Sequence, residues 1–295
     1  MYTISSELRQ VSVNPLGAEL TSLVSVPTDE EFMWSGDAAI WSGRAPILFP
    51  IVGQLRHGQM NAKGQSWLMN RHGFVRSHHF HCQKQAENQL ICTFESDDKT
   101  LLSYPWRFRL TVSYTLIARE LLIDYRVENL DKETLLFNLG SHPAFSLPLA
   151  GAQIADYQIR FDQAESLQLH KLRDNLLQRT TEPFQLDQNT LRITPSLFDS
   201  DALVFMNIQS RELTLQHCPP GCIAPVSRVV VNTGGAPHLG IWAKPAAPYV
   251  CIEPWWGYAD FADASGEFSE KSSVQSLAVG ETFEHRLTIT TIDRE

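Results

Sequence analysis

The chain has 295 residues, 43% of them hydrophobic and 19% charged, which is enough to bury a large core and excludes a disulfide-stapled miniprotein or a disordered chain. Its 24 Lys and Arg stand against 33 Asp and Glu, a net charge of −9, which opposes binding to nucleic acid or to anionic lipid. The longest apolar stretch, residues 45–53, contains Pro46 and Pro50 and is too short to span a bilayer, and residues 1–11 lack a signal-peptide core.

A cytoplasmic protein is therefore expected. Five cysteines (Cys82, Cys92, Cys218, Cys222, Cys251) form an odd set without framework spacing, as expected of reduced thiols with no structural role.

Along the chain the periodicity is that of strands. Short runs at residues 8–13 and 89–95 precede the clearest one, where Phe108, Leu110, Val112, Tyr114 and Leu116 alternate with Arg109, Thr111, Ser113 and Thr115. After Arg119-Glu120 the alternation restarts in the opposite parity with Leu121, Ile123, Tyr125 and Val127 apolar, which predicts a long hairpin. Further runs lie at residues 135–141, 157–161, 212–217, 226–232, 237–243, 249–253 and 283–292. Residues 167–201 mix charges, amides and prolines without clear alternation and read as an excursion outside the main sheets. No segment sustains three turns of a 3.6-residue stripe, and no linker or repeat divides the chain. The expected fold is a single all-β domain over residues 1–295, a large antiparallel sandwich.

Three segments at strand edges combine ionisable residues with glycine, proline and aromatics: residues 70–74 (Asn-Arg-His-Gly-Phe), 140–145 (Gly-Ser-His-Pro-Ala-Phe) and 252–257 (Ile-Glu-Pro-Trp-Trp-Gly). A pyranose has apolar C–H faces and a rim of hydroxyls, so aromatic faces beside carboxylates and imidazoles suit a sugar. Glu253 ends an apolar run, where a carboxylate must be hydrogen-bonded or have its pKa raised toward the range useful for proton transfer. A strand-end histidine such as His142 or His72 is, taken singly, more often a structural hydrogen-bonder than a catalyst. The set carries more weight than its members.

That set resembles the aldose 1-epimerase (mutarotase) superfamily, most closely its LacX-like branch. Five ordered motifs carry the resemblance across nearly the whole chain: residues 44–50 with Val52-Gly53, residues 71–74, 141–145, 201–205 and 252–255. It implies a galactose mutarotase-like β-sandwich whose concave face holds the sugar. It also implies roles: Glu253 as general base, His142 as general acid, His72 as a second histidine near the ring oxygen, and Asp201 as a ligand of sugar hydroxyls. Arg44, Arg71 and Trp255 fall inside the same motifs and are expected to contact substrate. Where mutarotases commonly carry Arg after Val52-Gly53, this chain has Gln54, which can bond a hydroxyl but brings no charge, so Arg44 or Arg71 is expected to substitute.

The chemistry implied is interconversion of α and β anomers of a free aldohexose by acid/base ring opening and closure, with no metal or redox cofactor. The partner expected is a small sugar, and the chain a monomer or homodimer. One rival is a hexose-6-phosphate 1-epimerase, drawing on Arg44, Arg71, Arg76 and Lys63 for the dianion. Another is a sugar-binding protein without turnover. A zinc protein built on His78, His79, His81 and Cys82 with His217, Cys218 and Cys222 is disfavoured, because strand alternation splits the first cluster between two faces.

Overall fold

The computed structural model describes residues 1–147 and 153–293, and half of the chain is strand against 5% helix. Two antiparallel sheets dominate. The nine-stranded sheet runs, in spatial order, Thr190–Arg192, Tyr157–Phe161, Glu212–His217, Val226–Asn232, Thr282–Thr291, Glu120–Asn129, Phe108–Ile117, Gln89–Glu95 and His81–Ala86. The eight-stranded sheet runs Leu176–Phe184, Leu167–Arg173, Leu203–Met206, His238–Trp242, Tyr249–Trp256, Leu139–Ser141 and Ile47–Leu48, with Ala144–Ser146 also paired to Tyr249–Trp256.

The predicted hairpin is present. Leu121 faces Leu116, Ile123 faces Tyr114, and Tyr125 faces Val112, so one apolar row from each strand is buried while the polar rows alternate outward. Ala118, at φ 52°, makes the turn. These rows join a single hydrophobic core between the sheets.

The segment at residues 167–201 corrects the sequence reading, for it is no excursion. Leu167–Arg173 and Leu176–Phe184 form a hairpin at the edge of the eight-stranded sheet, and Thr190–Arg192 joins the other sheet. Both hairpin strands are largely exposed, so no buried face imposes the alternation by which a strand is recognised. The expectation for the cysteines is corrected as well. Cys82 and Cys92 sit opposite one another on neighbouring strands and are joined as a disulfide, whereas Cys218, Cys222 and Cys251 are free.

The strand Tyr249–Trp256 is buried along nearly its whole length. By the period of two, Tyr249, Cys251, Glu253 and Trp255 share the face opposite to that of Val250 and Ile252, and of these Glu253 and Trp255 line a cleft. Pro254 lies within this central strand without breaking it. The Ile252 amide donates to the Pro143 carbonyl, so by the period of two the missing Pro254 N–H falls on the same side. There the neighbouring chain leaves one strand at Ser141 and begins the next at Ala144, so no ladder bond is lost.

Candidate active site

That break delivers His142. Ser141 is fixed to the opposite sheet by donating a 2.9 Å hydrogen bond to the Tyr125 hydroxyl, Pro143 holds Ile252, and the His142 ring between them meets Glu253. Nε2 of His142 lies 3.2 Å from Oε2 of Glu253. Both are buried, at the base of a cleft of about 370 Å³ that opens on the outer face of the eight-stranded sheet.

Aromatic rings shape the cleft. Trp41 stacks on His142 at 5.1 Å between centroids, and Trp242 presents its edge at 5.8 Å. The Trp255 indole lies on two glycines: a Cβ on Gly240 would stand 2.3 Å from its ring and one on Gly140 2.7 Å. No other residue type at either position leaves room for this floor. Leu48, Val52, Leu177, Val204 and Ala259 pack with Trp255 in a small apolar cluster separate from the main core.

His72 enters from a loop that the backbone locks to the loop at Gly53. The His72 amide donates to the Gly53 carbonyl at 2.8 Å, and the Gly53 amide donates to His72 Nδ1 at 3.1 Å. On the other side of the ring Arg71 Nε donates to His72 Nε2 at 3.1 Å. A neutral imidazole has one lone-pair nitrogen, so only one of these contacts is a hydrogen bond in any tautomer. With both nitrogens facing donors, His72 is in place beside His142, 5.9 Å between centroids, but it donates to a sugar oxygen only if Arg71 moves.

The electrostatics follow from burial. Desolvation raises the Glu253 pKa well above its ordinary value, helped by Asp201 and opposed by Arg71 and by the Trp255 N–H. That indole approaches the carboxylate without a hydrogen bond of normal geometry. Desolvation also lowers His142 to about 3, with Arg71 and Arg76 pushing the same way. His72 is lowered for the same reasons, burial first. Burial thus favours the carboxylic acid form of Glu253 and the neutral form of His142, whose Oε2 and Nε2 lie 3.2 Å apart.

The cleft gathers Glu253, His142, His72, Arg71 and Trp255 from three of the five expected motifs. Three other expected residues stand differently. Asp201, at φ 87°, accepts from the amide of Ala202 and flanks the cleft, near enough for its charge to act on Glu253. Gln54 turns its amide to the Leu55 carbonyl, away from the cleft wall that Gly53 forms. Arg44 lays its guanidinium over Gly36 while its amide donates to Glu19, so it does not replace the missing arginine. Arg71 and Arg76 are the arginines of the wall.

Sequence reasoning missed Trp41 and Trp242, and it missed Leu172, Asn175 and Leu177 on the edge hairpin. Asn175 accepts a 2.7 Å hydrogen bond from Arg71 Nη1, so the hairpin tip reaches across to the His72 loop. Asp174 and Asn175 both have positive φ, and that dipeptide is the signal that could have revealed the turn. Among the described residues the two sequence clusters proposed for zinc do not assemble; His142, Cys251 and Glu253 do come together.

Comparison with known proteins agrees with the fold. The aldose 1-epimerase family profile matches residues 1–290. The chain is 31% identical over 304 residues to the plasmid-encoded protein LacX of Lactococcus lactis subsp. lactis, covering 98% of this chain and 99% of that one. Among solved structures it is similar to a galactose mutarotase related enzyme from Lactobacillus acidophilus, at 31% identity and TM-score 0.90, covering 99% and 97% of the two chains. It is also similar to a galactose mutarotase-like protein from Lactobacillus casei ATCC 334, at 27% identity and TM-score 0.90, covering 98% and 99%. By the family match over nearly its full length and by its fold, the chain belongs to the aldose 1-epimerase family.

Proposed function

We propose that the protein is a mutarotase, an isomerase that interconverts the α and β anomers of a free aldohexose, with Glu253 as base and His142 as acid. The observation that carries this reading is the 3.2 Å separation of His142 Nε2 and Glu253 Oε2 at the base of an indole-walled cleft. O1 and O5 of a pyranose hang on one carbon, so two proton-carrying atoms this close can serve both.

The proton inventory closes. Ring opening starts from the ion-pair form, in which the Glu253 carboxylate takes the O1 proton while the His142 imidazolium gives one to O5 and the C1–O5 bond breaks. This leaves the aldehyde with the acid-and-neutral-imidazole pair that burial favours. Rotation about C1–C2 turns the other carbonyl face inward, and closure returns both protons. Arg71 favours the carboxylate form of Glu253 and opposes the imidazolium form of His142, so its charge acts on the two partners in opposite senses. Trp255, Trp41 and Trp242 supply faces for the sugar C–H groups, and Asp201 at the edge accepts from hydroxyls.

A second reading, a hexose-6-phosphate 1-epimerase, is favoured by one observation: Arg71 and Arg76 line the cleft, and neither forms an ion pair with a carboxylate among the described residues. The neutral substrate remains preferred because these guanidiniums are already committed, Arg71 to His72 and Asn175 and Arg76 to the Arg71 carbonyl. Lys63 pairs with Glu133 and adds nothing to a phosphate site. The test compares kcat/KM for glucose, galactose and glucose 6-phosphate at one salt concentration. Free sugars are expected to win; a tenfold or larger preference for the ester that Arg71→Ala or Arg76→Ala abolishes would establish the second reading.

A further inference from the structure

Cys251 stands two residues before Glu253 on one strand, so both side chains lie on the same face. It is fully buried and lies outside the cleft wall, and the proton transfers described above do not use it. One donor atom from each of His142, Cys251 and Glu253 lies within 4.8 Å of the other two. The His142 to Glu253 distance, 3.2 Å, already matches an edge of a tetrahedral zinc site, for which bonds of about 2.0–2.2 Å to nitrogen and oxygen give roughly 3.3 Å. The thiol, within 4.8 Å of both other donors, must close in by about 1 Å at most to stand about 2.3 Å from the ion.

We propose that His142, Cys251 and Glu253 form a binding site for a thiophilic divalent cation such as Zn²⁺ or Cd²⁺, and that occupancy blocks sugar turnover. Imidazole, thiolate and carboxylate are the donors of open zinc sites with three protein ligands. The fourth position points into the cleft, because two of the three ligands form its wall. Charge balances at the site: the thiol loses its proton to solvent, the proton of the Glu253–His142 pair leaves likewise, and the resulting thiolate and carboxylate neutralise the dication. The bound ion takes the carboxylate oxygen and the imidazole nitrogen that anomer interconversion needs, so metal and sugar compete.

Cadmium itself is the probe. The other free thiols, Cys218 and Cys222, are first replaced by serine. Cd²⁺ is then titrated into the full chain while the near-ultraviolet thiolate-to-cadmium charge-transfer band and the mutarotation of galactose are followed together. The band is expected to saturate at one ion per chain as turnover falls, and galactose is expected to raise the Cd²⁺ required. Adding Cys251→Ser should abolish the band and raise the inhibitory Cd²⁺ concentration about tenfold or more, the scale expected when a ligand is lost, with metal-free turnover unchanged. Glu253→Gln, which keeps the thiol, should weaken the band's affinity by a similar factor and gives a second reading should the serine variant misfold. An undiminished band in the Cys251→Ser chain, or no band in its parent, would overturn the proposal. Only the inhibition arm rests on the mutarotase reading, since the band is read without turnover: an inactive chain that binds cadmium through Cys251 supports the metal site and counts against the mutarotase.

Discussion

Gly73 joins the backbone to the site, and replacing it tests whether the His72 loop is held as described. Gly73 has φ +74°, and a Cβ built there would stand 2.1 Å from the Phe49 carbonyl oxygen, 2.4 Å from its carbon and 2.7 Å from the Pro50 nitrogen. All three are backbone atoms, so no side-chain rotation relieves the clash. Gly73→Ala is charged about 1–2 kcal/mol for a left-handed L-residue and about 1–3 kcal/mol for overpacking, roughly 2–5 kcal/mol together. Gly64 isolates the first of these costs, since it has φ +71° but nothing within 4 Å of the added Cβ. Urea unfolding of the two alanine variants should therefore show Gly64→Ala losing about 1–2 kcal/mol and Gly73→Ala losing appreciably more. Turnover should fall only in Gly73→Ala, because the adjoining His72 is held against Gly53 by its amide and faces it with its ring. Equal stability losses in the two variants would refute the close approach of the loops.

The other expectations concern charge and protons. His142→Asn should keep the fold and lower mutarotation by about 100-fold or more, the usual scale for losing a positioned proton donor; polarimetry on the purified variant checks it. Burial lowers His285 to about 4, so the unfolded chain, with an ordinary histidine pKa near 6.5, binds more protons below that pH. Stability therefore falls as pH drops from about 6.5 to about 4, by up to ~3 kcal/mol for this group, and His285→Phe should flatten that part of the profile in urea titrations at stepped pH; an unchanged slope would contradict the assignment. Arg71→Ala should free the hairpin tip at Asn175 and release one of the donors facing His72. It should raise KM for galactose, because the cleft wall loses its guanidinium and the hairpin tip its anchor; an unchanged KM by polarimetry would contradict this.

Much of the fold was legible because burial imposes a period. Glu212–His217 and Val226–Asn232 have the bounds that alternation predicted, and the core rows of the long hairpin match residue for residue. The edge hairpin was not legible, since strands wetted on both faces have no reason to alternate; its Asp174-Asn175 turn was the remaining clue. In the site, Glu253, His142 and His72 announce themselves by standing beside glycines and prolines in short aromatic motifs. Trp41 and Trp242 do not, because an indole in a sequence looks the same whether it fills a core or walls a cleft, and only the fold brings both to His142. Arg44 and Gln54 show the converse: residues within the right motif whose side chains the local backbone turns elsewhere.

The central claim is that Glu253 and His142 pass protons to and from one anomeric centre, and magnetisation-transfer NMR between the α and β anomers tests it most directly. With galactose and glucose at equilibrium, the wild-type chain should speed exchange well above the buffer rate, and Glu253→Gln should retain the fold while slowing exchange by about 100-fold or more. A Glu253→Gln chain exchanging anomers at nearly the wild-type rate, or a wild-type chain no faster than buffer with any aldose, would contradict it.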